Sequence, residues 1–343
     1  MIDCNPFTNG KSGLKAPVQK LSKWKFSGAS IPGRLHLQKD IPCQDRIYSL
    51  NDRDVNVISL SDGAGSCKYS HFGAEVVTQS ICEIMANIFD DAYENDSQIK
   101  EKIIKNILQN LVKKASEIGT NIQELSSTLL FVAVKGNKYI SGHIGDGVIS
   151  YLFEDRIDIL SHPDNGEYAN STYFVTSSDV KDHFRIYRGE IKNITGFILI
   201  SDGTAERLYD KKNKKFSNAA KQILEWLDDN SSSDVSKALK NNLEKFFKEK
   251  ILDDCSINLM KHVEKDIYEL NNMPLDLQKE FLNSNNKIII ENRLKILNSV
   301  SSGKDLRTIS TETGLSIRTI KKHVDYLVKD GKLKLCGSKV IMN

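Results

Sequence analysis

Residues 55–60 and 196–200 form two nearly continuous apolar runs rich in β-branched side chains, and each is followed at once by Ser-Asp-Gly. Runs of this kind predict buried strands, each broken by a glycine turn. Between them the period changes. Over 73–93 the residues Ala74, Val77, Ile81, Ile84, Met85 and Ile88 recur at helical spacing, as do Ile103, Ile107, Leu111 and Ala115 over 99–118. Two amphipathic helices facing a core are therefore expected. Toward the C-terminus the pattern predicts helices over 288–299, 305–313 and 316–329, a turn at Gly314, and a hairpin over 332–342 turning at Gly337-Ser338. Ser316 is a natural N-cap, and Ile309, Leu315, Ile317, Ile320, Val324 and Leu327 would form the small core between these helices.

The strand ends carry the chemistry. Acidic sites occur at Gln44-Asp45, Ser61-Asp62-Gly63-Ala64-Gly65, Gly145-Asp146-Gly147, Ser201-Asp202-Gly203 and Asp253-Asp254. A single Asp-Gly pair is also an ordinary turn signal. Several such pairs closing apolar runs would instead bring carboxylates out together. Oxygen-only clusters of this kind hold hard divalent cations such as magnesium or manganese, because the concentrated negative charge needs a cation to neutralise it. A glycine after the Asp lets the backbone turn sharply and brings its own carbonyl close to whatever the carboxylate holds.

Further residues extend the pattern: Trp24, Ser27-Gly28-Ala29-Ser30, His36 and Pro42-Cys43 before Gln44-Asp45; Gly73-Ala74 and Ser127-Thr128-Leu129; Gly142-His143-Ile144 before Gly145; and Cys255-Ser256 after Asp254. In this order and spacing the set resembles the metal-dependent protein phosphatase family of the 2C type, particularly its bacterial branch, over residues 24–260. The resemblance implies an α+β fold of two antiparallel sheets packed face to face and flanked by helices, with a dinuclear metal site at one end of the sandwich. It implies Mn2+ or Mg2+, two or three ions, as cofactor. Asp62 would bridge both metals, the Gly63 carbonyl would bind one of them, and Asp202 and Asp253 would complete the ligand set of the second metal. Asp253 is preferred to Asp254 because it stands three residues before the Ser256 hydroxyl, as in the family pattern. Asp45 matches the acidic residue of the first motif, and Asp146 the one that, with Asp202, holds a weaker third metal in many bacterial members.

The implied activity is that of a protein serine/threonine phosphatase, with a phosphorylated protein as substrate. Two metals about 4 Å apart supply positive charge and a bridging water that loses a proton near neutral pH and attacks phosphorus in line. The chain departs from the pattern in two places. Gln44 stands where many members have Glu; a neutral amide can still hold a metal-bound water, with less negative charge. The Arg that grips the phosphoryl group in many members has no counterpart at its usual distance before Asp45. Arg34 is the first choice for that task, because its fork of donors suits a phosphoryl group. His36 is a candidate acid to protonate the leaving alkoxide.

Other phosphate chemistries lack their motifs. No Cys and Arg flank a short phosphate-cradling loop at Cys4, Cys43, Cys67, Cys82, Cys255 or Cys336, and there is no Gly-x-x-x-x-Gly-Lys-Ser/Thr loop. The cysteines show no disulfide spacing and are expected to be reduced. The polar stretch 162–174, rich in turn formers, is expected to be a loop over the active-site mouth.

Charge separates a second region. Residues 286–343 hold 12 Lys or Arg and 5 Asp or Glu, a net of +7, leaving −4 on the first 285 residues, although the whole chain shows only +3. The expected organisation is a phosphatase-like domain over 1–265, a linker over 266–286 and a small basic domain over 287–343. The helix–helix–helix–hairpin order of that domain resembles a winged helix-turn-helix. Double-stranded DNA is its candidate partner, through Arg318, Lys321 and Lys322 on the third helix and Lys332, Lys334 and Lys339 from the wing; docking to protein is the alternative. The competing account of the whole chain is a DNA-binding transcriptional regulator whose phosphatase-like domain senses without turnover. With 39% hydrophobic and 27% charged residues the composition is that of a globular chain. No signal-peptide-length apolar run begins it and no run of about 18 apolar residues occurs, so a cytoplasmic protein with no membrane association is expected.

Overall fold

The computed structural model describes residues 20–94, 98–164, 172–246, 250–300 and 303–343. The described residues divide into two compact units: Trp24–Val263, and residues 20–23 with Glu264–Asn343.

The larger unit contains strands β1 (Lys20–Ile31), β2 (Arg46–Asp52), β3 (Val55–Ser61), β4 (Leu129–Lys135), β5 (Lys138–Ile144), β6 (Val148–Phe153), β7 (Arg156–Ser161), β8 (Arg185–Glu190), β9 (Ile194–Ile200), the two-residue pair β10 (Tyr209–Asp210) and β11 (Lys215–Phe216), and β12 (Cys255–Asp266). Its helices are α1 (Arg34–Lys39), α2 (Ser70–Glu94), α3 (Ile99–Ile118), α4 (Val180–His183), α5 (Asp202–Leu208), α6 (Asn218–Asp229) and α7 (Ser232–Phe246). Two five-stranded sheets result, in the orders β1-β12-β9-β6-β7 and β2-β3-β4-β5-β8. The pairings of β12 with β9, of β9 with β6 and of β6 with β7, and the four within the second sheet, run antiparallel.

The layering follows from which side chains the strands bury. Ile58, Leu60, Leu130 and Val132 from one sheet meet Ile149, Phe197, Leu199 and Met260 from the other in a shared core. Because β3, β4 and β9 also bury their outer faces under helices, they read as continuous apolar runs. On one side Val57, Phe131 and Ala133 pack with Val77, Ile81 and Met85 of α2 and Ile103, Ile107 and Leu111 of α3. On the other, Ile198, Ile200 and Ile257 pack with Leu224 and Leu227 of α6 and Val235, Leu239 and Leu243 of α7. The mixed fold is thus helix, sheet, sheet, helix.

One sequence expectation is corrected at the Ser-Asp-Gly triplets. Neither Gly63 nor Gly203 has positive φ, and the triplet after β9 opens α5 with Asp202 in its first turn. Both glycines answer to proximity instead: an added Cβ would lie 2.8 Å from the Gln44 carbonyl oxygen at Gly63 and 2.1 Å from that of Asp254 at Gly203. Gly145, with φ +111, is where the backbone itself demands glycine.

The smaller unit holds α8 (Ile267–Asn272), α9 (Leu275–Phe281), α10 (Lys287–Ser299), β13 (Lys304–Asp305), α11 (Leu306–Thr313), α12 (Ile317–Lys329), β14 (Leu333–Cys336) and β15 (Lys339–Met342). Its three-stranded sheet has the order β13-β15-β14. The stretch 266–286, expected as a linker, forms α8 and α9, with Leu270, Leu277, Phe281 and Leu282 buried. Its Asn content concealed a capping box in which Asp266 and Glu269 bond each other's backbone N–H groups. Ser316 caps α12 by accepting from the Thr319 N–H. Ile309, Ile320, Val324 and Leu327 are buried as expected, but Leu315 is half-buried and Ile317 is 47% exposed at the start of its helix. Arg293 takes up core space instead, stacking 3.6 Å from the Tyr326 ring centroid.

In the larger unit Lys25 is 1% exposed and donates to the carbonyls of Leu227 (2.9 Å) and Asn230 (2.7 Å), acceptors at the C-terminal end of α6. A cation there satisfies acceptors that the helix leaves unpaired and opposes its dipole. Lys25→Met is expected to lower stability by about 2–4 kcal/mol in urea unfolding, the scale of losing charge-assisted bonds to buried carbonyls.

Candidate active site

Strand register brings the acidic motifs to one end of the sandwich. Arg46 pairs with Ser61, so Asp45, just before β2, and Asp62, just after β3, emerge side by side. In the other sheet Ile200 pairs with both Ile257 and Val148, which aligns Asp202 with the Asp253-Asp254 turn and with Gly147. Gly145-Asp146-Gly147 connects the end of β5 to the start of β6 and so passes from one sheet to the other at this same end. Asp62 is clamped by its backbone: its N–H donates to Thr128 Oγ1 and its carbonyl accepts from the Thr128 N–H, both at 2.8 Å. Gly63 adds an isolated bridge to Ser127.

The electrostatics record how closely these carboxylates meet. Burial holds the Asp62 carboxyl well above the usual carboxylate range, and the charges of Asp45, Asp202, Asp253 and Asp146 add to the effect. Asp202 is pushed up to about 7, first by burial and then by Asp146 and Asp253, while a hydrogen bond with Asp62 acts in the opposite sense. Asp45 is fully buried, and neither of its oxygens has a partner at ordinary hydrogen-bond distance; burial and then the Asp254 charge raise it. Burial also raises half-buried Asp146, against the Thr172 hydroxyl that bonds it. The Oε1 atom of Gln44 and the hydroxyls of Ser127, Thr204 and Ser256 are likewise buried without partners. Among the described residues no three His, Cys, Asp or Glu side chains already stand in ligating geometry. Even so, crowded hard oxygens with orphaned lone pairs and raised pKa values suit a divalent cation.

The remaining expected site residues fall into different surroundings. Asp253 is exposed, with Oδ1 accepting from the Asp254 N–H at 2.8 Å, whereas Asp254 is 1% exposed and fully engaged. His36 is buried, with Nδ1 2.8 Å from Asp254 Oδ1. Arg34 is exposed at the start of α1. Two cations of other origin line a cavity of about 390 Å³ beside Asp45: Arg46, whose guanidinium donates to the Cys43 and Asp45 carbonyls, and Lys240 of α7. Lys240 carries no sequence motif and lies far along the chain, so only the fold could reveal it. Of the expected mouth loop, residues 165–171 lie outside the described residues; Arg185 holds its first part by donating to the His162 carbonyl.

In the smaller unit Arg318, Lys321, Lys322, Lys334 and Lys339 are exposed. Lys332 is a correction: it is 4% exposed and paired with Asp330, so it is withdrawn from any surface partner. The described cysteines, Cys43, Cys67, Cys82, Cys255 and Cys336, are unpaired. No helix among the described residues is long and apolar enough to cross a membrane.

The protein phosphatase 2C family model matches residues 32–246. The chain belongs to the protein phosphatase 2C family. Within this phosphatase 2C chain the match takes in Asp45, Asp62, Asp146 and Asp202 and stops short of Asp253 and the smaller unit. Serine/threonine-protein phosphatase 3 of Escherichia coli (strain K12) is 27% identical over 165 residues, 46% of this chain and 64% of the relative, so the chain spans somewhat under two thirds of that relative's length. The crystal structure of a bacterial serine phosphatase superposes with a TM-score of 0.50 at 15% identity, over 70% of this chain and 98% of its own, a likeness of fold. The catalytic domain of the serine/threonine phosphatase PstP, crystallised with two manganese ions, gives a TM-score of 0.48 at 15% identity over 71% of this chain and 99% of its own.

Crowding of carboxylates has a measurable sign. Asp202, at about 7, lies above the ~3.9 of an Asp in an unfolded chain, so between those values the folded chain holds more protons and its stability falls as pH rises. In chelator-treated protein, Asp202→Asn should therefore gain on the wild type from about pH 4 to about pH 7, by an amount read from urea unfolding. A stability difference independent of pH over that window contradicts the raised value.

Proposed function

We propose that the chain is a metal-dependent protein serine/threonine phosphatase that hydrolyses phosphoserine and phosphothreonine. The observation that carries this reading is the crowding of acidic side chains at one end of the sandwich, where burial and neighbouring carboxylates, Asp253 among them, raise the pKa values of Asp45, Asp62, Asp146 and Asp202. Divalent ions, Mn2+ or Mg2+, would be held by Asp62, the Gly63 carbonyl, Asp202 and Asp253, with Asp45 behind them and Asp146 with Asp202 offering a third position. Bound there, such ions would supply Lewis acidity toward a phosphoryl group and acidify water. The chain itself contributes fixed carboxylates on rigid strand ends, so orientation is set before substrate arrives. Arg34, Arg46 and Lys240 give this end of an otherwise acidic unit the cationic contacts that a phosphorylated protein needs.

Hydrolysis of a chromogenic phosphomonoester should depend on added manganese and be abolished by chelator, and Asp62→Asn should lower it about 100-fold or more, the scale of losing several kcal/mol of electrostatic stabilisation. Absence of turnover in the wild type with manganese would favour the sensor reading, to which Gln44 and the missing Arg of the first motif lend some support.

For the smaller unit the proposal is a winged helix-turn-helix that binds duplex DNA. Its support is the exposure of Arg318, Lys321 and Lys322 on α12 beside Lys334 and Lys339 on the hairpin, in a region of net charge +7. Duplex binding by the full chain should weaken steeply with salt, and charge reversal at Lys321 and Lys322 should reduce the slope by about one unit for each phosphate no longer neutralised. Fluorescence anisotropy showing no duplex binding at low salt would point to protein docking instead.

A further inference from the structure

Asp254 differs from the carboxylates around it in having both oxygens satisfied by protein. Its Oδ1 accepts from the Gly33 N–H at 2.7 Å and lies 2.8 Å from His36 Nδ1, while Oδ2 accepts from the Gln44 N–H at 2.5 Å. The same contact continues in the backbone, where the N–H groups of Arg34 and Leu35 donate to the carbonyls of Ile251 and Leu252 at 3.2 and 3.1 Å. Glycine permits the approach from two sides: a Cβ at Gly33 would fall 2.2 Å from the Asp253 carbonyl oxygen, and one at Gly203 would fall 2.1 Å from that of Asp254. Gln44 passes the connection on, since its Nε2 donates to the Cys67 carbonyl at 3.0 Å in the loop that follows Asp62.

Resting on the metal-phosphatase reading, we propose that Asp254 and His36 form a positioning pair that sets the spacing between the Asp253 carboxylate and the Gln44-Asp45 turn. Asp254 also places next to residue 44 the negative charge that its neutral side chain lacks. His36 thereby acts through Asp254 as a positioning residue; it fixes one carboxylate oxygen so that the other stays on the Gln44 N–H. Short bonds from backbone N–H groups to a buried carboxylate are the strong, directional kind. Groups of this type, one bond removed from a metal, typically change its affinity when lost. The Gln44 amide makes a contact here that a Glu carboxylate could not. A carboxylate at position 44 would face the Cys67 carbonyl without a proton to donate, so that contact would turn repulsive.

The test compares full-length wild type with Asp254→Asn, His36→Ala, His36→Asn and Gln44→Glu. Manganese alone is titrated calorimetrically; kcat and KM for a chromogenic phosphomonoester are then measured at saturating manganese, and thermal unfolding in chelator. Asp254→Asn turns an amide donor toward one of the N–H groups it must receive, and with His36→Ala should weaken manganese binding by about 10–100-fold, leaving KM nearly unchanged. His36→Asn, which keeps a donor near the Nδ1 position, should recover most of the loss, and Gln44→Glu should bind manganese more weakly than wild type. Variants that lose thermal stability but keep wild-type manganese affinity and kcat would overturn the positioning role and leave the phosphatase reading standing. Tighter binding by Gln44→Glu would overturn the charge argument. Should Asp254→Asn fail to fold, the two His36 variants decide alone. A wild type that binds no manganese and hydrolyses nothing would remove the phosphatase reading and the positioning pair with it.

Discussion

The structure turns on antiparallel register at the ends of two packed sheets. Each carboxylate follows or precedes a strand whose pairing is fixed by a buried apolar face, and a slip of one residue would turn that whole face outward. The side chains between the sheets and under both helix layers therefore hold in place a set of like charges that would otherwise spread apart. Burial in the core supplies the energy, and the acidic end of the sandwich is where part of it is offset. That division is typical of sites whose local arrangement is unfavourable until a ligand arrives.

Much of this was legible in the residues, and for stated reasons. Buried strands and amphipathic helices have strong periods, so 55–60, 196–200 and the two long helices stand out in the sequence, and the Asp motifs mark the strand ends. Long-range placement has no such signal. The different surroundings of Asp253 and Asp254 depend on the Gly33, His36 and Gln44 donors that capture Asp254, and those donors lie more than 200 residues away. Lys240 at the cavity beside Asp45 and the orphaned atoms of Asp45 are equally matters of tertiary contact. The triplet after β9 reads as a turn in the sequence because Asp-Gly is ambiguous: in the first turn of a helix the same Asp is favoured by the dipole.

The smaller unit shows the same limit from the other side. Its helices and hairpin follow local capping and glycine signals, so they fall where the pattern puts them. Burial does not follow so simply. Ile317 is left in solvent at the mouth of its helix, while charged Arg293 enters the core because an aromatic face and a backbone carbonyl accept its guanidinium. Lys332 turns inward to Asp330 for a similar reason. Residue type alone does not say whether a cation serves the surface or the fold.

The two glycines that flank the Asp253-Asp254 peptide carry a consequence for how this protein can vary. Neither bears a functional group, yet even a methyl at Gly33 or Gly203 would overlap main-chain atoms that cannot swing aside like a flexible side chain. Any bulk introduced there must displace the peptide that presents the acidic pair, so an alanine at either position would be felt as chemical damage although it touches no reactant. Freedom to mutate at this end of the molecule is thus governed by interatomic clearance as much as by which side chains do chemistry.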